Sequence, residues 1–178
     1  MHCAEQPVAA AVAGENPTRP VRPVGCRRQA QHDDRSGDWL FRAMHHAGLA
    51  NQPSSRRADD GLELGNAWVT AAVRCAPPGN KPEISERDNC RPFLEREFAA
   101  LSRAKVVVCL GNFAYQAACK EFGVRPRPKF GHLVEVRAPN GLTLLCSFHP
   151  SQQNTFTGRL TEAMLDAVFT RAVALSTA

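Results

Sequence analysis

One stretch of the 178-residue chain concentrates groups able to contact a polar ligand. It is His149-Pro-Ser-Gln-Gln-Asn-Thr-Phe-Thr-Gly-Arg159, and it follows the apolar run Leu144 to Phe148. A histidine held by proline at a strand end is well placed to touch a ligand. Behind it, Ser151, Gln152, Gln153, Asn154, Thr155 and Thr157 bring hydroxyls and amides, Gly158 brings flexibility and Arg159 a cation. Such groups bind phosphate backbone or base edges. The same composition fits an ordinary polar loop that caps the last helix through Thr161, and on composition alone that is the commoner meaning.

Two further groups of residues could do chemistry. Cys75-Ala-Pro-Pro-Gly-Asn-Lys-Pro82 is a loop, and Cys90 stands beyond it with fourteen residues between the two thiols. A cysteine pair could help hold a metal or cluster, but a closed site wants four ligands, and on spacing alone two unrelated thiols are the commoner meaning. Asp33-Asp34-Arg35-Ser36-Gly37-Asp38-Trp39 precedes a helix. A carboxylate there could orient a water, or it could cap the helix. The histidine pair His45-His46 falls mid-helix, one expected toward solvent and one flanking the core. His132 precedes a strand and reads as a surface residue or a support to the site.

These residues need a scaffold, and the pattern supplies one. Trp39, Leu40, Ala43, Met44 and Ala47 have helical spacing, with a stop near Gly48. Ala67 to Val73 reads as a strand. Ser85 to Arg103 reads as a helix with Phe93, Leu94, Phe98 and Leu101 on one side. Lys105 to Leu110 is a short apolar run ending at Gly111, the pattern of a buried parallel strand turning into a helix, here 112–122. Strands at 133–137 and 142–148 flank Pro139-Asn140-Gly141, a hairpin signal. A helix from Thr161 to about Leu175 closes the chain. Strands alternating with helices give an α/β fold, a three-layer domain with a mainly parallel central sheet. In such sheets ligands bind beyond the C-terminal strand ends. The core is expected to include Leu40, Val69, Val73, Val107, Leu110, Leu145, Leu165 and Phe169. Residues 1–33, rich in proline, arginine and alanine, show no sustained period and read as a disordered segment before a domain at 34–178.

Composition excludes some classes. No apolar run approaches the ~18 residues that span a bilayer. Val8 to Ala13 is a poor signal peptide, so a cytoplasmic monomer is expected. Formal net charge is +5, compatible with a polyanionic partner. Seven cysteines, an odd number, argue against a disulfide framework. Cys109, Cys119 and Cys146 read as small buried hydrophobes. No Gly-x-Ser-x-Gly elbow is present, which removes a small-molecule α/β hydrolase.

Several blocks together resemble the family 5 uracil-DNA glycosylases, the iron–sulfur branch of that superfamily. They are Arg35-Ser-Gly-Asp-Trp-Leu-Phe41, Val69-Thr-Ala-Ala-Val-Arg-Cys-Ala-Pro-Pro-Gly-Asn-Lys-Pro82, Val106-Val-Val-Cys-Leu-Gly111, Pro128-Lys-Phe-Gly-His132 and His149 through Leu160. Their order and spacing also fit, over about residues 34–176. The resemblance implies a DNA repair enzyme that flips uracil or another deaminated base from DNA and hydrolyses its N-glycosidic bond. It implies that His149 stabilises charge on the departing base, that Asn80 lies in the base pocket and that Asp34 positions water. It implies that Ser151, Gln152, Gln153, Asn154, Thr157, Gly158 and Arg159 grip the DNA strand. It also implies a structural [4Fe–4S] cluster.

The departures lie at the front. The family's first strand, ending in a glycine–proline motif, has no match in residues 1–33, so that strand is expected to be missing. A frameshifted or wrongly placed start would explain the abrupt agreement at Asp34. Only Cys75 and Cys90 match the cluster's cysteines, while Cys3 and Cys26 lie in unmatched sequence. Two thiolates do not complete the cluster, so the metal site is expected to be incomplete and the chain colourless, weakly stable and of low activity. The rival reading is a catalytically impaired remnant that binds DNA.

Overall fold

A computed structural model describes residues 9–13, 35–57, 59–74 and 83–177. The five strands are β1 (Ala9–Ala13), β2 (Ala67–Thr70), β3 (Ala104–Leu110), β4 (Glu135–Arg137) and β5 (Thr143–Ser147). The five helices are α1 (Arg35–His46), α2 (Ile84–Ala100), α3 (Asn112–Glu121), α4 (Gln152–Phe156) and α5 (Glu162–Thr177). The strands form one sheet in the order β2-β1-β3-β5-β4.

The three-layer α/β architecture stands. On one face, Leu40, Ala43 and Met44 of α1 and Leu165, Val168, Phe169 and Ala172 of α5 pack with Val106, Val108, Leu110 and Leu145. On the other, Ala114, Tyr115, Ala117 and Ala118 of α3 pack with Val107, Cys109, Leu144 and Cys146. The alternation along β3 and β5 divides their side chains between the two cores, as the period-two geometry of a strand requires. Every residue of β5 is buried, and its middle, Leu144-Leu145-Cys146, is apolar without alternating. Each large side chain fully buried this way contributes about 1.5–3 kcal/mol relative to exposure.

Three expectations are corrected. First, the sheet is mixed: only β3 and β5 pair in parallel, while β1–β2, β1–β3 and β4–β5 are antiparallel. β2, β3 and β5 still share one direction, because β1 inserts antiparallel between β2 and β3. Second, residues 9–13 of the segment read as disordered supply that strand. Ala9-Ala10-Ala11-Val12-Ala13 carries no charge, so it can lie at the sheet centre, and β3 otherwise presents an unpaired edge. The strand position thought missing is occupied. Third, β2 stops at Thr70, leaving Val73 half-buried beyond it and Val69 only partly buried, whereas the other six core candidates are buried.

Smaller features follow the sequence closely. Gly48, at φ +74°, ends α1, and the Leu49 N–H donates to the Met44 carbonyl at 2.8 Å. Gly141, at φ +89°, turns the hairpin between β4 and β5. Thr161 caps α5 through its Oγ1, which accepts from the Met164 N–H at 3.3 Å. Both His45 and His46 are exposed, so neither flanks the core, and His46 Nδ1 lies 3.2 Å from Asp166. Phe93 is 42% exposed rather than packed, covered by the guanidinium groups of Arg74 and Arg96 at 4.8 and 4.9 Å. Among the described residues no helix is long and apolar enough to cross a membrane.

β1 pairs on both sides, so its backbone carries the test of its importance. A proline at Ala11, partnered with Trp68 and Val107, removes an N–H and strains a central strand. Ala11→Pro is expected to lose about 1–3 kcal/mol of stability, since it leaves a buried ladder partner unsatisfied, read by thermal or denaturant unfolding. An unchanged midpoint would contradict a central β1.

Candidate active site at the ends of β3 and β5

β3 and β5 run side by side in register, Leu110 opposite Ser147. Their C-terminal ends open into a cleft of about 490 Å³ lined by Gly111, Asn112, Lys129, Phe130, Phe148, His149, Asn154 and Arg159. Gly111 is what brings the two ends together. Its N–H donates to the Ser147 carbonyl at 2.8 Å, its φ is +92°, and it begins the turn into α3. A Cβ on Gly111 would sit 3.2 Å from the His149 Cβ. Glycine is therefore required twice, for the left-handed backbone and for the approach of His149.

His149 is half-buried and the following Pro150 is buried. The loop then forms the short helix α4. Ser151 caps it, its Oγ accepting from the Asn154 N–H at 3.4 Å. Asn154 turns its amide back, and Nδ2 donates to the His149 carbonyl at 2.8 Å. The Leu160 N–H donates to the Asn154 carbonyl at 3.0 Å, so Asn154 ties together both ends of the loop. Arg159 places its guanidinium 4.6 Å from the centre of the Phe148 ring. His149, Asn154 and Arg159 thus meet in one cleft. Gln152, Gln153, Thr157 and Gly158 are exposed along the same loop, with Gly158 at φ +69° and the Thr157 hydroxyl donating to the Gln153 carbonyl at 2.7 Å. The loop both caps the next helix and presents polar groups, so the two readings of its composition are compatible.

Other candidates stand apart. Asp34, Asn80 and Cys75 lie outside the described residues. α1 begins at Arg35, directly after Asp34. Cys90 is half-buried on α2, and its Sγ accepts from the Arg74 N–H at 3.5 Å. Arg74 is held in turn by Glu97 at 2.6 Å, and the Thr70 hydroxyl donates to the same carboxylate. That network fixes the end of β2 against the helix bearing Cys90.

The described residues do not make up the donor set of a four-thiolate cluster. No group of three or more His, Cys, Asp or Glu able to hold a metal occurs among them. Cys109, Cys119 and Cys146 are buried in the core. Burial pushes their thiols up, that of Cys146 to about 12, so they remain protonated. A cluster needs thiolates.

The sequence reading missed an aromatic support beneath the cleft. Phe148 contacts His132 in a stacked arrangement at 5.3 Å and Phe130 at 6.2 Å, and Phe130 in turn lies 5.9 Å from Tyr115. No spacing rule joins 115, 130, 132 and 148, so only the fold reveals it. It also passed over Arg125-Pro126-Arg127-Pro128-Lys129, an alternation of cations and prolines that was visible. All five residues are exposed, and Lys129 lines the cleft. Neither Arg125, Arg127, Lys129 nor Arg159 forms a salt bridge among the described residues.

Known proteins resemble this chain over most of its length. The model of the Uracil DNA glycosylase superfamily matches residues 9–172. A type-5 uracil-DNA glycosylase of Mycobacterium tuberculosis is 49% identical over 146 residues, 80% of this chain and 54% of that protein. The type-5 enzyme of Thermus thermophilus is 42% identical over 144 residues, 80% of this chain and 65% of its own. That of Pyrobaculum aerophilum is 40% identical over 142 residues, 79% and 61%. The chain therefore spans between about half and two thirds of the length of these curated relatives.

His132 gives the site a pH signature in stability. Burial lowers its pKa below the ordinary imidazole value of 6.5, with a partial offset from the Met164 backbone. The native state therefore binds fewer protons than the unfolded chain between the lowered value and 6.5. The His132 contribution is complete above pH 6.5 and is lost as pH falls through its folded pKa. His132→Asn should flatten the acid limb of stability against pH, measured by unfolding between pH 5 and 7.5. An identical acid limb in both proteins would contradict a buried neutral imidazole.

Proposed function

The chain belongs to the uracil DNA glycosylase superfamily, and from that premise we propose that it excises uracil, or another deaminated base, from DNA by hydrolysing the N-glycosidic bond. The observation that carries the reading is His149, set at the end of β5 in a cleft flanked by Lys129 and Arg159. The base is flipped from the strand into this cleft, which costs a few kcal/mol that contacts to the strand must offset. Lys129 and Arg159 supply positive charge, and Phe156, 68% exposed on α4, offers an apolar wedge. As the bond to the sugar breaks, the electron pair goes to the base. His149 lowers the barrier by donating toward the carbonyl oxygen where that negative charge collects. Water attacks the sugar carbon, and Asp34 is the residue we assign to hold it. Asn80 is assigned to the base pocket, and Ser151, Gln152, Gln153, Thr157 and Gly158 to the DNA strand.

We assign Cys75 and Cys90 as the remaining pair of the iron–sulfur site that the type-5 resemblance implies. The cluster's part would be structural, and no step of the chemistry uses it. We further infer a cytoplasmic monomer acting within DNA repair, with a folded domain over 34–178 joined by β1.

An oligonucleotide with a single uracil tests the reading. Alkali-labile abasic product is expected from the wild-type chain, and DNA binding without product would instead favour the impaired remnant. His149→Ala should lower the single-turnover rate about 100- to 1,000-fold while leaving affinity nearly unchanged. Equal losses in rate and affinity would contradict the role given to His149.

Salt supplies a second check. Each phosphate neutralised by a cation contributes a slope of about −0.9 to log K against log salt on duplex DNA. Replacing Arg127 or Arg159 with alanine should make the slope shallower by about 1 each. A flat plot for the wild-type chain would remove DNA as the partner.

A further inference from the structure

We propose that His132 is a positioning residue that holds Phe148, and through it His149 and Arg159, in working geometry. The inference rests on the glycosylase reading for its rate measurement alone.

Three contacts lead to it. The Phe148 N–H donates to His132 Nδ1 at 3.3 Å, one residue before His149 in the chain. The two rings stack, 28° from parallel with centroids 5.3 Å apart. The Phe148 ring carries Arg159, the guanidinium 4.6 Å from its centroid. One imidazole therefore touches both the backbone that delivers His149 and the ring under the cleft's arginine. β5 ends at Ser147, so the Phe148 N–H lies beyond the sheet's own ladder and needs a side-chain acceptor. Accepting this bond places the neutral ring's proton on Nε2.

The chain invests strain in delivering that ring. Leu133, next to His132, has φ +59°, a left-handed backbone that residues with a Cβ rarely adopt. Leu133 is 42% exposed, so burial of its side chain does not explain the conformation. Its N–H donates to the Cys146 carbonyl at 2.7 Å, and the Cys146 N–H donates to the Val134 carbonyl at 2.9 Å. At Gly131 a Cβ would lie 3.0 Å from Val134 Cγ2. A turn squeezed on one side, strained on the other and pinned twice to β5 has one outcome at its centre, the placement of His132 over Phe148. Strained backbone of this kind persists where the surroundings over-determine it, often beside functional groups.

Two substitutions separate the contributions of the ring. His132→Phe keeps a stacking ring and removes the acceptor. His132→Asn removes the ring and keeps an acceptor near the Nδ1 position. The His149 imidazole resonances of the full chain, followed by NMR, are expected to shift in His132→Phe and to return toward wild type in His132→Asn. The single-turnover excision rate should follow the same order, falling about 10- to 100-fold in His132→Phe and recovering in His132→Asn. Should His132→Phe not fold, His132→Leu carries the same comparison. Unshifted His149 resonances in the acceptor-less variants, or Asn as damaging as Phe, would overturn the proposal. A wild-type chain that excises no uracil would sink the glycosylase reading instead, and the His149 resonances would still decide the positioning role.

Discussion

The site depends on one close approach, between Gly111 at the end of β3 and His149 just beyond β5. The parallel pairing of these strands brings both ends to the same edge, and the Gly111 N–H bond to Ser147 fastens them there. With 3.2 Å between the His149 Cβ and the place a Gly111 Cβ would occupy, any side chain there crowds His149, on top of the strain of the positive φ. The obstacle is a Cβ attached directly to backbone rather than a flexible tip, so relief would require the chain itself to move. The same glycine starts α3, whose buried alanines and Tyr115 close one face of the sheet. Packing on that face and placement of the histidine are two results of one backbone conformation.

What was readable in the sequence depended on how local its cause is. β3, β5, α3 and the Asn140-Gly141 hairpin arise from apolar runs and turn residues acting within a few positions, and they lie where those signals put them. β1 was not readable, because alanines have weak strand preference and its role comes from the unpaired edges of β2 and β3. β4 is shorter than its apolar run suggests because the chain spends 131–134 on the turn that presents His132. In the site, the polar loop after β5 was legible from composition. The stack of Tyr115, Phe130, Phe148 and His132 was not, since it joins three separate stretches of chain.

The cysteines illustrate how packing sorts identical side chains. Cys109 and Cys146 are direct neighbours across the β3–β5 pair, and Cys119 belongs to the same buried cluster. There the thiol serves as a small apolar group, and the surroundings that favour its packing oppose its ionisation. Cys90 differs in that it is half-buried, with a backbone N–H aimed at its sulfur, in a region fixed by Arg74 and Glu97. Among the described residues, one sulfur therefore has a polar environment and three have apolar ones, a contrast set by the fold.

The excess positive charge is also sorted. Arg42 is engaged by Glu162 and Asp166, Arg91 by Glu95 and Glu121, Lys120 by Asp88 and Arg171 by Glu135. Exposed pairs of this kind add little stability, typically about 0–1 kcal/mol. Their effect on the field is larger, because each removes a cation from the surface potential. Arg125, Arg127, Lys129 and Arg159 are left without such neutralisation among the described residues, and two of them line the cleft. Lys129 and Arg159 thereby place positive charge at the cleft that His149 lines. Arg159 is held there by an aromatic ring, which orients a guanidinium without cancelling its charge. The cleft therefore combines a positioned arginine with its charge left unneutralised, the arrangement that attracts an anionic group and fixes its orientation.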